Sequence, residues 1–268
     1  MAIEPTAEGE RMHFEPTPAR GRVYSVFSTK GGCGRTTIAT NLAFALHAGG
    51  TRRVCLLDLD LGFGDIATTL QLPTKHTLAA ALAPADPRTV RLRTEIRPGL
   101  DAILAPVVPG DAERIRSELV SAVLDRLVTE YDAIVVDTPA RFTGAVLAAL
   151  DRSDQHILVA TPERPALLNL RRTLDAMDLL RYSMTCRTIV FNRSDSRVGI
   201  TVADVERMLR ATVAVHVPSS RDVPASINRG VPLVVSAAEH PVSVSVRVLA
   251  ELSLRSPPQP AVVATPDP

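Results

Sequence analysis

Short apolar runs rich in β-branched residues recur along the middle of the chain. They cover residues 23–27 (VYSVF), 54–57 (VCLL), 133–136 (AIVV), 157–160 (ILVA), 188–191 (TIVF) and 213–217 (VAVHV). Each has the length and composition of a strand buried on both faces. Between them the apolar positions change to helical spacing. Ile38, Leu42, Ala43 and Leu46 follow Thr36. Ile115, Leu119, Val123 and Leu127 mark a longer helix over about residues 112–130. Leu167, Leu170, Leu174 and Met177 mark a third. Strand and helix in alternation predict an α/β fold, a mostly parallel sheet with helices on both faces. Residues 73–110 have no clear period. Val242, Val244, Val246 and Val248 alternate as in a strand, but Val248, Leu249 and Leu252 fit a helix, and the stretch is read as helix.

The ends differ from this middle. Residues 1–20 hold Pro5, Pro16 and Pro18 and no periodicity, and the last thirteen residues (SPPQPAVVATPDP) hold five of the 21 prolines. Residues 1–20 and 255–268 therefore read as flexible tails around a single domain over 21–254. At 268 residues with 46% apolar and 22% charged side chains, the chain can build a sizeable core, which excludes disorder throughout. No apolar run approaches the roughly 18 residues of a membrane span. Glu4, Glu8, Glu10 and Glu15 in the first segment argue against a signal peptide. Cys33, Cys55 and Cys186 lack metal or disulfide spacing, which suits a reducing, cytoplasmic setting. The six histidines lie far apart and form no metal or nucleophile pattern. A net charge of +1 gives no global reason to expect a nucleic-acid partner.

The chemistry concentrates in VYSVFSTKGGCGRTTIATNLAFAL, which reads as strand, glycine loop and helix. Gly31, Gly32 and Gly34 let the backbone around Cys33 turn its amides toward an anion. The helix that follows opens at Thr36 and Thr37, so its free N–H groups and dipole face the same anion. The Thr36 hydroxyl suits Mg²⁺, and Arg35 supplies a basic group just before it. Of the 30 basic residues only Lys30 and Lys75 are lysine, so a lysine at the start of this loop stands out.

KGGCGRTT resembles the deviant Walker A motif, KGGxGK[ST], of the ParA/MinD branch of P-loop ATPases. The resemblance implies a P-loop NTPase fold, ATP and Mg²⁺ as cofactors, and a homodimer formed around ATP. It implies that Lys30 is the signature lysine that crosses to the partner's nucleotide. Lys30, Gly31, Gly32, Cys33, Gly34, Arg35, Thr36 and Thr37 would then bind ATP, with Lys30, Arg35 and Asp60 catalytic. The departure from the motif is Arg35, which stands where the family usually has lysine. A planar guanidinium is not a point charge, so hydrolysis is expected to be slow, with an ATP-binding scaffold that scarcely hydrolyses as the alternative.

LLDLDLGFGD places Asp58 and Asp60 after the second strand, where ligands sit in open α/β sheets. By the resemblance this is the first switch: Asp58 holds Mg²⁺-bound water and Asp60 orients the attacking water. YDAIVVDTPARF supplies Asp137 at the end of another strand as a third acid. With Thr36 and Asp58 it completes the implied Mg²⁺ set, the carboxylates acting through water. Thr138, Pro139 and Ala140 resemble the second switch, and Asp132 reads as a turn residue. VFNR offers Asn192, whose amide can read adenine, beside Arg193. The segment after the last strand resembles the one whose backbone, here near Val217 and Pro218, borders the base.

LLDLDLGFGDIATTLQL, TLAAAL and SINRGVPL resemble the CpaE/TadZ group, which helps place the machinery of tight-adherence pili. That resemblance implies a role in pilus or secretion assembly, with an unidentified protein partner that recruits the chain to a pole or to the inner membrane. The proline-rich tail is not the amphipathic helix of a direct MinD-like membrane switch. A ParA-like DNA-segregation role remains an alternative, although its scattered arginines (Arg52, Arg53, Arg91, Arg93, Arg171, Arg172) do not mark a basic face.

Overall fold

A computed structural model describes residues 20–83, 92–196 and 198–256, so nearly all of both predicted tails lies outside the described residues. Among the described residues eight strands form one sheet: β1 (Arg22–Phe27), β2 (Val54–Asp58), β3 (Thr94–Arg97), β4 (Leu100–Ile103), β5 (Ala133–Asp137), β6 (Gln155–Ala160), β7 (Arg187–Asn192) and β8 (Val215–Val217). Their order across the sheet is β3-β4-β2-β5-β1-β6-β7-β8. All neighbours are parallel except β3 with β4. The helices are α1 (Arg35–His47), α2 (Asp65–Leu70), α3 (Pro109–Ala112), α4 (Ser117–Leu127), α5 (Gly144–Asp151), α6 (Arg164–Leu179), α7 (Val202–Leu209), α8 (Asp222–Asn228), α9 (Leu233–Ser236) and α10 (Pro241–Arg255).

Alternate side chains of the central strands enter different cores. Tyr24, Val26, Val54, Leu56, Ala133 and Val135 pack with α1 and α10. Val23, Cys55, Leu57, Ile134 and Val136 face the other way, toward α4 and α5. A third cluster joins Phe27, Leu158 and Phe191 to α6 and α7. Because helices cover both faces, these strands are apolar without alternation, and this made them visible as runs. α1 is buried almost all round, including Thr40 and Asn41, because α10 packs over the side turned from the sheet.

Two expectations are corrected, and the segment without a reading holds two strands. β3 and β4 lie in the segment without a period. β3 is an antiparallel edge strand, TEIR, whose side chains are mostly half-exposed or exposed, so it presents no apolar run. The helix expected over residues 112–130 is broken. Arg116 is extended (φ −99°, ψ 172°), α4 starts at Ser117, and Ile115 reaches the same core from the connection before it. β8 starts at Val215 rather than at residue 213. The valine stretch near residue 244 is the helix α10: Val242, Val246, Leu249 and Ala250 are buried, while Val244 and Val248 face outward.

β1 lies between β5 and β6 and marks the point where the sheet's order reverses. The C-terminal ends of β1, β2, β5 and β7 therefore bring their loops to one crevice, where ligands of such sheets bind.

Candidate functional site

The chain leaves β1 at Phe27 and enters α1 at Arg35 through a glycine loop. Gly34 has φ +90°, and a Cβ there would stand 2.5 Å from Asn192 Nδ2, so conformation and space both demand glycine. Asn192, at the end of β7, donates that Nδ2 to the Cys33 carbonyl at 2.8 Å, while its Oδ1 accepts from the Arg193 N–H at 3.0 Å. Arg193 has left-handed backbone (φ +56°), and its Nη2 donates to the Gly32 carbonyl at 3.1 Å. The end of β7 thus grips two carbonyls of the loop. The first N–H groups of α1, at residues 35–37, have no intrahelical acceptor and suit an anion.

Arg35 does not extend from the loop. Its Nε donates to the Thr138 carbonyl at 2.7 Å, and its Nη1 to the carbonyls of Lys30 at 2.9 Å and Ser28 at 3.3 Å. Its Nη2 lies 3.8 Å from Asp60 Oδ2, and the side chain is only 11% exposed. Lys30 is half-exposed and forms a loose ion pair, 3.8 Å from Glu163 Oε2, at the start of α6. Such a pair contributes little by itself and is readily broken.

The three acids meet at the end of the sheet. Asp58 and Asp137 are partners in the β2–β5 ladder. Asp58 accepts backbone N–H groups from Asp60 at 3.0 Å and Ile66 at 3.2 Å. Both oxygens of Asp137 are buried, and among the described residues neither has a hydrogen-bond partner. Burial pushes Asp137 up to about 7, opposed by the Thr36 hydroxyl and the Arg35 charge. Burial, and then the neighbouring Asp137 charge, raise Asp58 well above the usual carboxylate range. Burial also raises Asp60, with Arg35 opposing. Two adjacent buried carboxylates beside a hydroxyl repel one another unless a proton or a cation intervenes. Among the described residues no cluster of three or more His, Cys, Asp or Glu could by itself hold a metal. The donors present, all oxygen and incomplete, fit Mg²⁺, which keeps several waters and takes phosphate oxygens to complete its shell.

A cavity of about 250 Å³ opens beside the loop. Gly34, Thr37, Asn192, Arg193, Val217 and Pro218 line it, joined by Ile38, Val223 and Val242 from helices behind. It is smaller than the ~300–1,000 Å³ of ordinary ligand pockets and suits one end of a ligand whose other end reaches the loop. A wider cavity, about 740 Å³, lies between the loops after β2 and β5 and is lined by Asp60, Phe63, Arg116, Pro139 and Arg141.

The residues expected from the sequence therefore converge, although Asn192 and Arg35 turn their donors toward the protein's own carbonyls. The sequence reading missed Glu163, the partner of Lys30, whose only sequence signal is its place just after β6. It also missed Asn41, Ser219, Ser220, Val223, Pro224, Val242 and Val246 as cavity walls; their contact with the loop depends on how α1, α8 and α10 pack. Asp222, without a role in the sequence reading, lies 3.4 Å from His240 Nε2. Among the described residues no helix is long and apolar enough to cross a membrane.

A family model described as "ParA: NUBPL iron-transfer P-loop NTPase" matches residues 20–251. The septum site-determining protein MinD of Thermotoga maritima is 26% identical over 221 residues, covering 80% of this chain and 81% of that protein. The crystal structure of a ParA family ATPase from Chlorobium tepidum superposes with a TM-score of 0.79 at 26% identity, covering 86% of this chain and 98% of that one. MinD of Pyrococcus horikoshii, solved with Mg-ADP, shares the fold with a TM-score of 0.76 at 22% identity, covering 87% and 95%.

Proposed function

The chain belongs to the ParA family of P-loop NTPases, and from that premise we propose that it is a Mg²⁺- and ATP-dependent dimerising switch that positions or assembles a cellular machine. The observation that carries this reading is Asp137: a buried carboxylate whose oxygens make no close hydrogen bond among the described residues, beside Asp58 and Thr36, at the mouth of the glycine loop. Thr36, Asp58 and Asp137 would hold Mg²⁺, the carboxylates in part through water. When bound, the ion neutralises charge on the phosphate chain.

The protein's own groups have distinct tasks in this reading. The loop and first-turn amides hold phosphate oxygens, and Arg35 adds positive charge. The cavity between Asn192, Arg193, Val217 and Pro218 takes the base. Asp60 orients the attacking water, and Lys30 leaves Glu163 to reach the nucleotide of a second copy. Hydrolysis then reverses dimerisation and releases the partner protein.

The relatives reported above include a septum site-determining protein, which supports a positional output. Placement in pilus or secretion assembly is the narrower part of the proposal, and it rests on the CpaE/TadZ-like phrases LLDLDLGFGDIATTLQL, TLAAAL and SINRGVPL. A cytoplasmic protein brought to a pole or to the inner membrane by its partner is the matching setting. A second reading, an ATP-binding scaffold that scarcely turns over, is favoured by one observation: Nε and Nη1 of Arg35 are already committed to protein carbonyls.

Light scattering with and without Mg·ATP tests the reading, alongside phosphate release. The parent should double in mass with ATP, and Lys30→Ala should bind ATP yet stay monomeric. An unchanged parental mass, or a mutant that dimerises equally well, overturns the switch. Phosphate release at background level with a normal dimer selects the scaffold.

A further inference from the structure

Arg35 touches three loops of the site at once. A guanidinium has five N–H groups in a fixed planar fork. Nε is fastened to the Thr138 carbonyl in the loop after β5, and Nη1 to the Lys30 and Ser28 carbonyls in the glycine loop. Among the described residues only Nη2 has no carbonyl acceptor, and it faces Asp60 in the loop after β2 at 3.8 Å. An ammonium at the same place has three donors around one atom and cannot span these groups, which lie on three separate segments.

The turn that holds Asp60 is short. The Asp60 carbonyl accepts from Phe63 N at 3.1 Å and Gly64 N at 2.8 Å, and Gly64 takes left-handed backbone there (φ +61°). The Asp60 carboxylate also faces the Phe63 and Gly62 amides, so restraining its side chain restrains the turn, including Phe63, which is 84% exposed. On the other side, Thr138 is fixed at both polar ends: its hydroxyl donates to the Val26 carbonyl at 2.8 Å, and its own carbonyl accepts from Arg35.

We propose that Arg35 is a positioning residue that ties both switch loops to the glycine loop, and that Asp60 and a bound phosphate compete for its Nη2 face. This deepens the reading of the site given above and rests on it for the identity of the anion. Phosphate at the loop draws Nη2 away from Asp60. The turn at residues 60–64 is then released, Asp60 is free to orient water, and the wall of the cavity between the switches can move. Arginine at this position links phosphate binding to loop release through one side chain.

The test is amide hydrogen exchange on the full chain, first with nucleotide removed and then with Mg·ATP. Arg35→Lys keeps the charge and loses the fork. Without nucleotide it should raise exchange about tenfold in residues 60–64 and 138–144, the scale expected when a half-buried ion pair and a charge-assisted hydrogen bond are lost, with the rest of the sheet unchanged. With Mg·ATP the difference at residues 60–64 should vanish. Asp60→Asn keeps the shape and removes the ion pair, and should loosen residues 60–64 alone. Equal exchange in parent and Arg35→Lys without nucleotide overturns the proposal, as does a rise spread through the whole sheet. An Asp60→Asn variant that loosens residues 138–144 equally also overturns it. The first arm needs no ATP binding, so failure of the ATP reading shows separately, as a second arm that leaves even the parent unchanged.

Discussion

Asp58 and Asp137 stand directly opposite one another at the C-terminal ends of β2 and β5, both buried, Asp58 accepting two backbone N–H groups and Asp137 with the Thr36 hydroxyl beside it. Such a pair destabilises the fold on its own, and in the proposed reading it serves a cation. Asp137→Asn should therefore raise the melting temperature of the metal-free protein by a few degrees, since ~1 kcal/mol shifts a domain of this size by about 2–4 °C. The same change should abolish the Mg²⁺-dependent gain in nucleotide affinity. Calorimetry and a nucleotide titration with and without Mg²⁺ check both halves, and a destabilised variant with intact Mg²⁺ dependence contradicts the assignment.

If Asp60 orients the attacking water as proposed, Asp60→Ala should keep nucleotide binding, cut phosphate release by at least ~10²-fold and prolong the ATP dimer. Single-turnover phosphate release and the lifetime of the dimer in size-exclusion chromatography measure this. Parental turnover in the variant removes Asp60 from the reaction.

Gly34→Ala forces a side chain into left-handed backbone and against Asn192. The strain alone costs about 1–2 kcal/mol, and the displaced Asn192 releases the Cys33 carbonyl. A melting temperature lowered by several degrees and nucleotide affinity weakened at least tenfold are expected. Removing the amide with Asn192→Ala in the same chain should restore part of the stability, which a thermal melt reads directly.

His156 sets an acid limb. It is fully buried, 3.4 Å from Ser25 Oγ and edge-on to Tyr182. Burial, and then the Arg187 charge, push its pKa down to about 3. The unfolded chain takes up this proton near pH 6.5 and the folded protein does not, so the contribution is complete above pH 6.5 and is lost as pH falls toward 3. The expected slope is about 1.4 kcal/mol per pH unit in that window. His156→Phe should flatten this part of the curve, as read by urea unfolding at pH 7.5, 5.5 and 4.5. Parallel curves for variant and parent would show that another group carries the limb.

The sequence by itself determined the parts whose chemistry is local. The glycine loop, Lys30, Arg35 and Thr36 are contiguous, so spacing alone pointed to a candidate anion site. Strands buried on both faces must be mostly apolar, which made five of the eight strands among the described residues legible as runs; β8 also showed as a run, although its His216 is exposed. Asp58 and Asp137 each followed such a run, and chain position alone brought them to the right end of the sheet. Tertiary structure decided whatever depends on distant segments meeting. β3 escaped notice because an edge strand half in water needs no apolar signature. Arg35 reaches Thr138, 103 residues away, and Lys30 meets Glu163 only because β6 lies beside β1. The register of β2 against β5 made two separate carboxylates into a pair. Hydrophobic periodicity records which face of an element is buried, not which distant side chain it will meet, and the partners of these charges were settled only when the sheet assembled.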